Sequence, residues 1–420
     1  MKKSIFKKTI SLLSVLCLLL TLSGCSMSEV SIDELMRPPQ LSQSRQQVQS
    51  TVNQLLGNAS ALIAPTGGDH RSSINLADMN NDGQNEAICF FAESDTKLIS
   101  VLLLQKQQDK WQEVGRFAGD ATSVDKLEIA DLDGDGTAEL IIGWSYLTGS
   151  DRTLEVLRSA EQKLTSLYRG RYSQFEIVES KQPRIVSIDL SGDAATLLGF
   201  KGHKISPLST VPIDPRISVF TAVTVSKTSA GQPALYLDAQ LEDQSYHTEV
   251  LAVSDKEYLE NKLFTDGTGG AGRPLNIRCA DIDGDGIPEI PRCAAMEQGE
   301  GASYYTYWSK FDGTELLEPL TTFTGTADSC YFIYPEKWID TVFVRQDSAM
   351  PRLYHFVTRR GVTIYSLRVF TLNEFSQIHP GEGWISLTEN TDKVIAYKPV
   401  ENTAAFPFTT AEWAAALHTY

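Results

Sequence analysis

Short runs in which apolar and polar residues alternate recur along most of the chain, and this period of two is typical of half-buried β-strands. Three such runs begin at Ile74, Leu127 and Ile277, and each leads into an acidic turn that contains glycine. Further apolar runs follow about 22 and about 33 residues after the first aspartate of each turn, which makes four short strands in each unit. The pattern predicts an all-β domain assembled from repeated four-stranded sheets.

Helical spacing occurs near the start of the chain. Ser42 is a candidate N-cap and Gly57 a candidate end signal, which together predict a short amphipathic helix over 41–57. The positions of its narrow stripe are Leu41, Arg45, Val48, Val52 and Leu55. A single narrow stripe is the usual pattern of a helix that packs on its own domain, so we expect it to lie on the segment that follows rather than on a partner.

A second helix is predicted at the end of the chain. Thr409 and Glu412 form the Thr-x-x-Glu pattern of a capping box, directly before the run 413–417. We therefore expect a short C-terminal helix within 406–420.

The first 24 residues, 1–24, predict an export signal. Four lysines precede an apolar or small-residue run over 10–22, which has the length of a signal-peptide core and is too short to span a membrane. The run ends in Leu-Ser-Gly-Cys, which matches the bacterial lipobox and makes Cys25 the residue that receives palmitate-type acyl chains. An ordinary signal peptide with a chance cysteine is the alternative, but such a signal needs no cysteine there. We expect an exported lipoprotein, anchored to the bacterial cell membrane through acylated Cys25, facing outward, with a polar tether over 25–40.

Acidic residues outnumber basic ones by 53 to 37 in the whole chain. Removal of the leader takes four lysines away and leaves 33 basic residues, so the mature chain carries a net charge of −20. Such a surface repels phosphate backbones and anionic lipid head groups, which excludes nucleic acid as a partner bound by charge. The same surface is suited to cations.

The three acidic turns share one pattern: an aspartate, then carboxylate or amide side chains at every second position, then glycine and glutamate. A tight turn of this spacing points alternate oxygens inward, and Ca²⁺ prefers about six to eight oxygen ligands. The glycine at position six supplies the positive φ that reverses the chain. The predicted ligands, with position seven as a backbone carbonyl, are Asp78, Asn80, Asp82, Gln84 and Glu86 in the first loop, Asp131, Asp133, Asp135, Thr137 and Glu139 in the second, and Asp281, Asp283, Asp285, Ile287 and Glu289 in the third. We expect about three Ca²⁺ sites, because acids packed this closely without a cation would repel one another.

Other calcium loops fit less well. An EF-hand or a dockerin module needs an acid at position twelve, and this position holds Cys89, Ile142 or Arg292. RTX repeats need glycine-rich tandem copies, which the chain lacks. A solvated Asp-Gly turn that binds no metal is the remaining alternative.

A nine-residue acidic loop between two strands resembles the FG-GAP (VCBS-like) repeats of integrin-alpha-type β-propellers. The step from Asp78 to Asp131 is close to the length of one propeller blade. The resemblance implies a β-propeller of four-stranded blades over 60–405, with calcium in the loops. Dividing this length by roughly 50 residues per blade gives about seven blades, with six or eight left open. The leading Phe-Gly pair of the family is not evident.

Further units are predicted from weaker patterns. A degenerate copy of the loop at 185–193 has Ala194 in place of the glycine and Leu197 in place of the glutamate, so we expect a turn without an ion. Three strand-rich segments are interpreted as blades whose loops have diverged further, namely 235–241, 331–344 and 384–396.

The disulfide state stays open. Export permits disulfides, and Cys279 and Cys293 bracket one acidic loop at positions where two adjacent strands could face each other. Buried free thiols are the alternative for these two, and for Cys89 and Cys330. The spacing lacks the second cysteine pair or histidine of a zinc site.

Motifs of catalysis are scarce. The segment 267–272 formally matches G-x-G-x-x-G, but an Arg-Pro pair and a strand follow where a dinucleotide site needs a helix, so a flexible loop is the better interpretation. The six histidines show no metal-ligand spacing, and no nucleophile elbow or P-loop occurs. The aromatic run 304–308 alternates like a strand, which favours core packing over a sugar-binding platform.

Two classes of function remain. The favoured one is a surface-exposed, calcium-binding propeller that acts as a binding or scaffold module for a protein or glycan ligand, because the acidic charge and the scarcity of catalytic motifs agree with it. The alternative is an extracytoplasmic, lyase-like enzyme that processes polysaccharides, because some polysaccharide lyases use calcium-bearing propellers that resemble this one.

Overall fold

The computed structural model describes residues 43–57, 61–146, 152–265, 272–296, 303–325, 330–350, 352–389 and 391–419. The predicted signal peptide, Cys25, the tether, Leu41 and Ser42 lie outside these residues, as does 267–271 of the glycine-rich segment. The chain divides into two units, Met1–Leu55 and Leu56–Tyr420. In the part of the chain that is described, no helix combines the length and the apolar character needed to cross a bilayer.

Helix α1 spans Gln43–Leu56. Its buried side chains are Val48 and Val52, which lie one turn apart on the predicted stripe. Gly57 follows with a φ of 77°, the left-handed conformation that ends a helix. A helix is therefore present at the predicted place.

The strands in the rest of the described chain form six antiparallel sheets. Sheet 1 contains β1 (Leu62–Ile63), β2 (Ile74–Ala77), β3 (Glu86–Ala92), β4 (Ile99–Gln107) and β5 (Lys110–Ala118). Sheet 2 contains β6 (Ser123–Ala130), β7 (Glu139–Ser145), β8 (Arg152–Ala160) and β9 (Lys163–Arg171). Sheet 3 contains β10 (Gln174–Glu179), β11 (Pro183–Asp189), β12 (Ala194–Lys201) and β13 (Lys204–Pro212).

The other three sheets follow in the second half. Sheet 4 contains β14 (Ile217–Lys227), β15 (Pro233–Leu241), β16 (Tyr246–Val253) and β17 (Leu259–Glu260), and helix α2 (Lys262–Thr265) comes next. Sheet 5 contains β18 (Ile290–Ala295), β19 (Tyr304–Phe311), β20 (Leu316–Gly325), β21 (Cys330–Ile333) and the last strand of the chain. Sheet 6 contains β22 (Val342–Gln346), β23 (Leu353–Thr358), β24 (Thr363–Thr371), β25 (Ile385–Glu389) and β26 (Lys393–Pro399), with helix α3 (Leu372–Ser376) inserted before β25.

Strand alternation explains how neighbouring sheets pack. In β7, Leu140 and Ile142 belong to a core shared with sheet 1, whereas Ile141 between them belongs to a core shared with sheet 3. In β15, Leu235 packs with sheet 3 while Tyr236 packs with sheet 5. Because successive side chains point to opposite faces, one strand serves two cores, and successive sheets stack face to face from sheet 1 to sheet 6.

The described residues form six sheets, where the sequence predicted about seven blades. The reason lies in two of the predicted blades. The segment 331–344 is divided between β21 of sheet 5 and β22 of sheet 6, and the segment 384–396 supplies β25 and β26 to that same sheet 6. Helix α3 lengthens sheet 6 in sequence without adding another sheet.

The C-terminal segment returns to sheet 5. Helix α4 (Thr410–Ala416) begins with the predicted capping box, in which the Thr409 side chain accepts from the Glu412 N–H. Strand β27 (Leu417–Thr419), which the sequence did not predict, then pairs with β21. Trp413 of α4 is fully buried against Phe332 and Tyr397, so the helix and the two last sheets share one aromatic core.

The cysteines Cys89, Cys279, Cys293 and Cys330 are all free thiols. Strand register explains why the pairing of Cys279 with Cys293 does not form. Ala280 bridges Glu289, which directs Cys279 towards Ile290, while Cys293 pairs with Thr306 on the other side of β18.

Candidate metal centres

All three acidic loops occupy the same place in their sheets. Each connects the first strand of a unit to the second, and in each an alanine faces the closing glutamate across the hairpin. The three pairs are Ala77 with Glu86, Ala130 with Glu139, and Ala280 with Glu289. In sheet 5 the first strand is reduced to this one bridge, but the loop keeps its position.

The first aspartate of each loop holds the backbone turn. Asp131 accepts the N–H groups of Gly134 and Gly136 at 2.7 and 2.8 Å, and Asp281 accepts the corresponding N–H groups at 2.8 Å each. Asp78 accepts the Gly83 N–H at 2.9 Å. The predicted glycines at position six have φ values of 82°, 89° and 83°, which only glycine adopts without strain.

The remaining predicted ligands follow the same scheme. In each loop the aspartate at position five accepts the N–H of the residue at position seven at 2.8 Å. These pairs are Asp82 with Gln84, Asp135 with Thr137, and Asp285 with Ile287. The turns are therefore fully formed by backbone hydrogen bonds to aspartate.

The closing glutamates are buried, with 3% of Glu86, none of Glu139 and 3% of Glu289 exposed. One oxygen of each accepts a backbone N–H from the residue after the first aspartate, at 2.9, 3.0 and 2.7 Å. Burial raises the pKa of Glu86 and of Glu139, and it raises the pKa of Glu289 to about 7. A buried carboxylate with such a pKa gains from a cation beside it.

Two of the loops bring their carboxylates together. Ligand oxygens of Asp281, Asp283, Asp285 and Glu289 all lie within 4.8 Å of one another, and so do those of Asp131, Asp133 and Glu139. Acidic groups at this separation could hold a metal ion. The described carboxylates of the first loop do not form such a group.

Basic side chains lie at the centre of both convergent loops. Lys310 Nζ is 2.6 Å from Asp283 Oδ2 and 2.6 Å from Asp285 Oδ2. In the second loop, Arg158 donates to Glu139 Oε1 at 2.8 Å and to Asp133 Oδ2 at 2.5 Å. Sequence reasoning missed both residues because they lie on the third strand of the unit, outside the loop motif.

These contacts change the charge of the basic groups very little at neutral pH. Hydrogen bonds to Asp283 and Asp285 raise the pKa of Lys310. Burial works against the charged form of Arg158, but hydrogen bonds to Asp133 and Glu139 outweigh it and raise the pKa of that guanidinium. Both side chains are therefore charged at neutral pH.

The first loop differs at the matching position. The register of β3 with β4 places Gln105, a neutral residue, opposite Glu86. A cavity of about 340 Å³ opens beside these two side chains, and Asn80 and Thr137 also line it. Glu86 Oε1 is buried there without a hydrogen-bond partner of normal geometry, as Glu289 Oε1 is in the third loop, and the Gln105 amide is the polar side chain beside Glu86.

The first loop offers the donor types that a divalent cation takes, although its described carboxylates do not form the convergent group seen in the other two loops. It offers a side-chain oxygen from Asp78, Asn80 and Asp82, a backbone carbonyl at Gln84, and the buried, unpartnered oxygen of Glu86. These are the hard oxygen donors that Ca²⁺ prefers. A buried carboxylate oxygen without a partner is costly, and a bound cation would satisfy it.

The degenerate copy forms a turn of another kind. A short 3₁₀ helix, Leu190–Gly192, replaces the acidic loop, and Asp189 caps it by accepting the Ser191 N–H at 3.0 Å. Asp193 has a φ of 49°, and this left-handed conformation reverses the chain direction as glycine does in the acidic loops. The sequence predicted that this copy keeps a turn, and the structure has one, with a different backbone conformation.

One serine, histidine and aspartate come together in sheet 6, which sequence spacing did not reveal. His355 Nδ1 is 2.9 Å from Ser366 Oγ, and His355 Nε2 is 3.2 Å from Asp347 Oδ2. Ser366 is only 5% exposed and lies within β24. Its hydroxyl therefore orients the imidazole inside the sheet rather than being presented to a substrate.

Comparison with known proteins gives no family. No family model matches the chain, and no curated protein matches it. Among solved structures, a protein from Lactobacillus plantarum is similar over 71% of this chain and 84% of its own, with 10% identity and a TM-score of 0.31. Rhamnogalacturonan lyase PL11 from Bacillus licheniformis is similar over 81% of this chain and 72% of its own, with 11% identity and a TM-score of 0.28. At these scores neither protein assigns an architecture or an activity to the chain.

Proposed function

We propose that this protein is an exported, lipid-anchored β-propeller with FG-GAP-like acidic loops, which holds Ca²⁺ and serves as a binding or scaffold module for a protein or glycan. One observation carries the proposal. Three hairpins in three sheets share the same alanine–glutamate pairing, the same aspartate-held turn and the same buried glutamate. Repetition of one oxygen-rich turn at one place in successive sheets is what a set of structural cation sites requires.

The propeller part of the proposal is supported by the stacking of sheets. Antiparallel sheets of four or five strands that share a core with the sheet before and the sheet after stack as the blades of a propeller do. We propose six blades, one for each sheet, closed by packing sheet 6 on sheet 1.

A binding role is preferred to catalysis because the acidic groups already have structural partners. The first aspartates hold turns, and the Ser366 hydroxyl of the serine–histidine–aspartate contact in sheet 6 is buried. A bound Ca²⁺ would supply charge neutralisation to Asp78, Asp82 and Glu86 and would stiffen the hairpin.

Two measurements test the proposed function. Calcium titration of the full chain by calorimetry should show saturable binding, and a glycan array should identify ligands whose capture depends on Ca²⁺. Turnover of a captured polysaccharide into unsaturated products would overturn the binding role in favour of a lyase. Absence of calcium binding would remove the metal from the proposal.

The anchor is tested separately. Cys25→Ser should move the protein from the membrane fraction to the soluble exported fraction, because the acyl chains supply the membrane affinity. A variant that stays in the membrane fraction would contradict the lipid anchor.

A further inference from the structure

We propose that Arg158 and Lys310 are built-in counter-ions that occupy the cation positions of the second and third loops, and that the first loop is the site where a divalent metal binds. The inference rests on the proposed function in one respect, that these acidic loops are cation sites. The inference goes beyond the proposed function because it assigns one exchangeable metal site instead of three.

Strand register is the first argument. Leu140 pairs with Leu157, so the next position places Glu139 opposite Arg158. In sheet 5, Ile290 pairs with Ser309, so Glu289 lies opposite Lys310. In each unit, therefore, the residue of the third strand that faces the closing glutamate projects towards the loop.

The matching residue of sheet 1 is neutral. Ala87 pairs with Leu104, which places Gln105 opposite Glu86. An amide at this position brings no positive charge to the loop. The three units therefore carry arginine, lysine and glutamine at one equivalent position.

The contacts of the basic residues show that they neutralise the loops. Lys310 Nζ touches Asp283 and Asp285 and lies 3.7 Å from Glu289 Oε1. This ammonium sits among the same oxygens that a metal would need, so a dication could enter only if Lys310 left.

Arg158 is held even more firmly in the second loop. Besides its bonds to Asp133 and Glu139, its guanidinium lies 4.9 Å from the centre of the Phe200 ring of sheet 3. Cation–π contact and charge-assisted hydrogen bonds both favour this placement. A metal would have to break all of these contacts.

The first loop has no such counter-ion among the described residues. In the described residues no basic side chain pairs with Asp78, Asp82 or Glu86, whose oxygens accept from backbone N–H groups and from the Asn80 amide. Glu86 and Glu289 are each 3% exposed, and the Oε1 atom of each lacks a hydrogen-bond partner of normal geometry. Glu289 Oε1 has the ammonium of Lys310 3.7 Å away, whereas Glu86 has the neutral Gln105 amide beside it. The adjoining cavity of about 340 Å³ has room for an ion and its water molecules.

The wild-type chain itself gives the first test. Calorimetric titration of the full chain with Ca²⁺ alone should show one tight equivalent. Glu86→Gln should abolish this equivalent, while the matched variant Glu289→Gln should retain it. Three tight equivalents, or loss of binding in Glu289→Gln but not in Glu86→Gln, would overturn the inference and leave the proposed calcium-binding function intact.

Exchange of the counter-ion gives the second test. Gln105→Lys should weaken calcium binding to the first loop at least tenfold, while Gln377→Lys, which adds the same charge just after α3, should leave it unchanged. Lys310→Gln and Arg158→Gln should each add a calcium equivalent that the wild type lacks. If neither variant gains an equivalent and Gln105→Lys still binds as the wild type does, the counter-ion role is wrong. If no variant and no wild-type protein binds Ca²⁺, the proposed calcium function fails as well.

Discussion

Glu289 and Lys310 face each other across the start of sheet 5, with Lys310 Nζ 3.7 Å from Glu289 Oε1. The glutamate is buried and the lysine also reaches two aspartates of the loop, so one ammonium serves a whole acidic hairpin. Glu139 and Arg158 repeat the arrangement in sheet 2. The three described acidic loops are therefore of two kinds. The second and third contain a basic side chain, and the first does not.

We expect calcium to stabilise the protein through the first loop. Asp82→Asn keeps a side chain of the same shape, with an oxygen that can accept the Gln84 N–H, but it removes a negative charge. The calcium-dependent rise in melting temperature should therefore disappear. At a free calcium concentration of about 100 times Kd, binding adds about 2.7 kcal/mol to the free energy of unfolding, which corresponds to a rise of a few degrees. Thermal melts with calcium and with chelator measure it.

Asp285→Asn is the matched control for Asp82→Asn. It removes a partner of Lys310 and should lower the melting temperature equally with calcium and with chelator. Equal calcium responses in wild type and Asp82→Asn would contradict the assignment of the first loop.

A buried ion pair joins sheet 4 to the segment before the third loop. Arg273 Nη2 donates to Asp238 Oδ1 at 2.8 Å, and both side chains are at most 2% exposed. Arg273→Met removes the basic partner of the buried Asp238 carboxyl group, so we expect the free energy of unfolding to fall by about 3 to 5 kcal/mol. Urea unfolding at neutral pH measures the loss.

The control for this prediction is an exposed pair of the same type. Arg169 lies 2.7 Å from Asp120, with 41% and 57% of the two side chains exposed. Arg169→Met should cost less than about 1 kcal/mol because solvent screens the pair. Similar losses in the free energy of unfolding for the two variants would show that burial does not determine how much the Arg273–Asp238 pair stabilises the fold.

Local patterns predicted much of this structure. The acidic loops, their glycines with positive φ and the strands about 22 residues after each first aspartate are set by neighbours in sequence, so they are found where expected. The residues Arg158 and Lys310 could not be found in that way, because only strand pairing brings them to the loops. A search for the residue opposite each closing glutamate would have revealed them.

The described residues form six sheets, whereas the length predicted about seven blades, and the difference has a related cause. Dividing the length by a blade length assumes that each unit is equally long, but helix α3 and its flanking turns lengthen the sixth unit. Tyr331 and Val344 lie in two different sheets, and the alternation of apolar and polar residues could not predict this. Both residues lie on strands, and every strand has the same period of two.

The free cysteines make a prediction about redox conditions. Reductant should leave the melting temperature unchanged, because Cys279 and Cys293 are not bonded. In the folded protein Cys89 should resist thiol reagents, since it is fully buried and burial raises the pKa of its thiol to about 12. After unfolding without reductant, all four thiols that follow Cys25 should react. A count of two would show that a disulfide joins two of them.

A second buried network lies at the edge of sheet 4. Glu249 accepts the Asp214 N–H at 2.8 Å and the Asn261 amide at 3.0 Å, and only 1% of it is exposed. His247 lies beside it, 3.5 Å from Asp214, and Arg216 pairs with Asp214 from the surface. Burial raises the pKa of Glu249 to about 7 and lowers the pKa of His247.

Glu249 should make the protein less stable as the pH rises. Its usual pKa is near 4.5, so between that value and about 7 the folded state holds a proton that the unfolded state has lost. Its stabilising contribution is complete below about pH 4.5 and is lost as the pH rises through about 7, whereas His247 acts in the opposite direction. Glu249→Gln removes the pH-dependent loss of stability that Glu249 causes and leaves the effect of His247. The free energy of unfolding of the variant, minus that of the wild type, should therefore be about 2 kcal/mol larger at pH 8 than at pH 5. Urea unfolding across this range, with exposed Glu242→Gln as control, measures it, and a difference that stays constant with pH would show that Glu249 is ionised throughout.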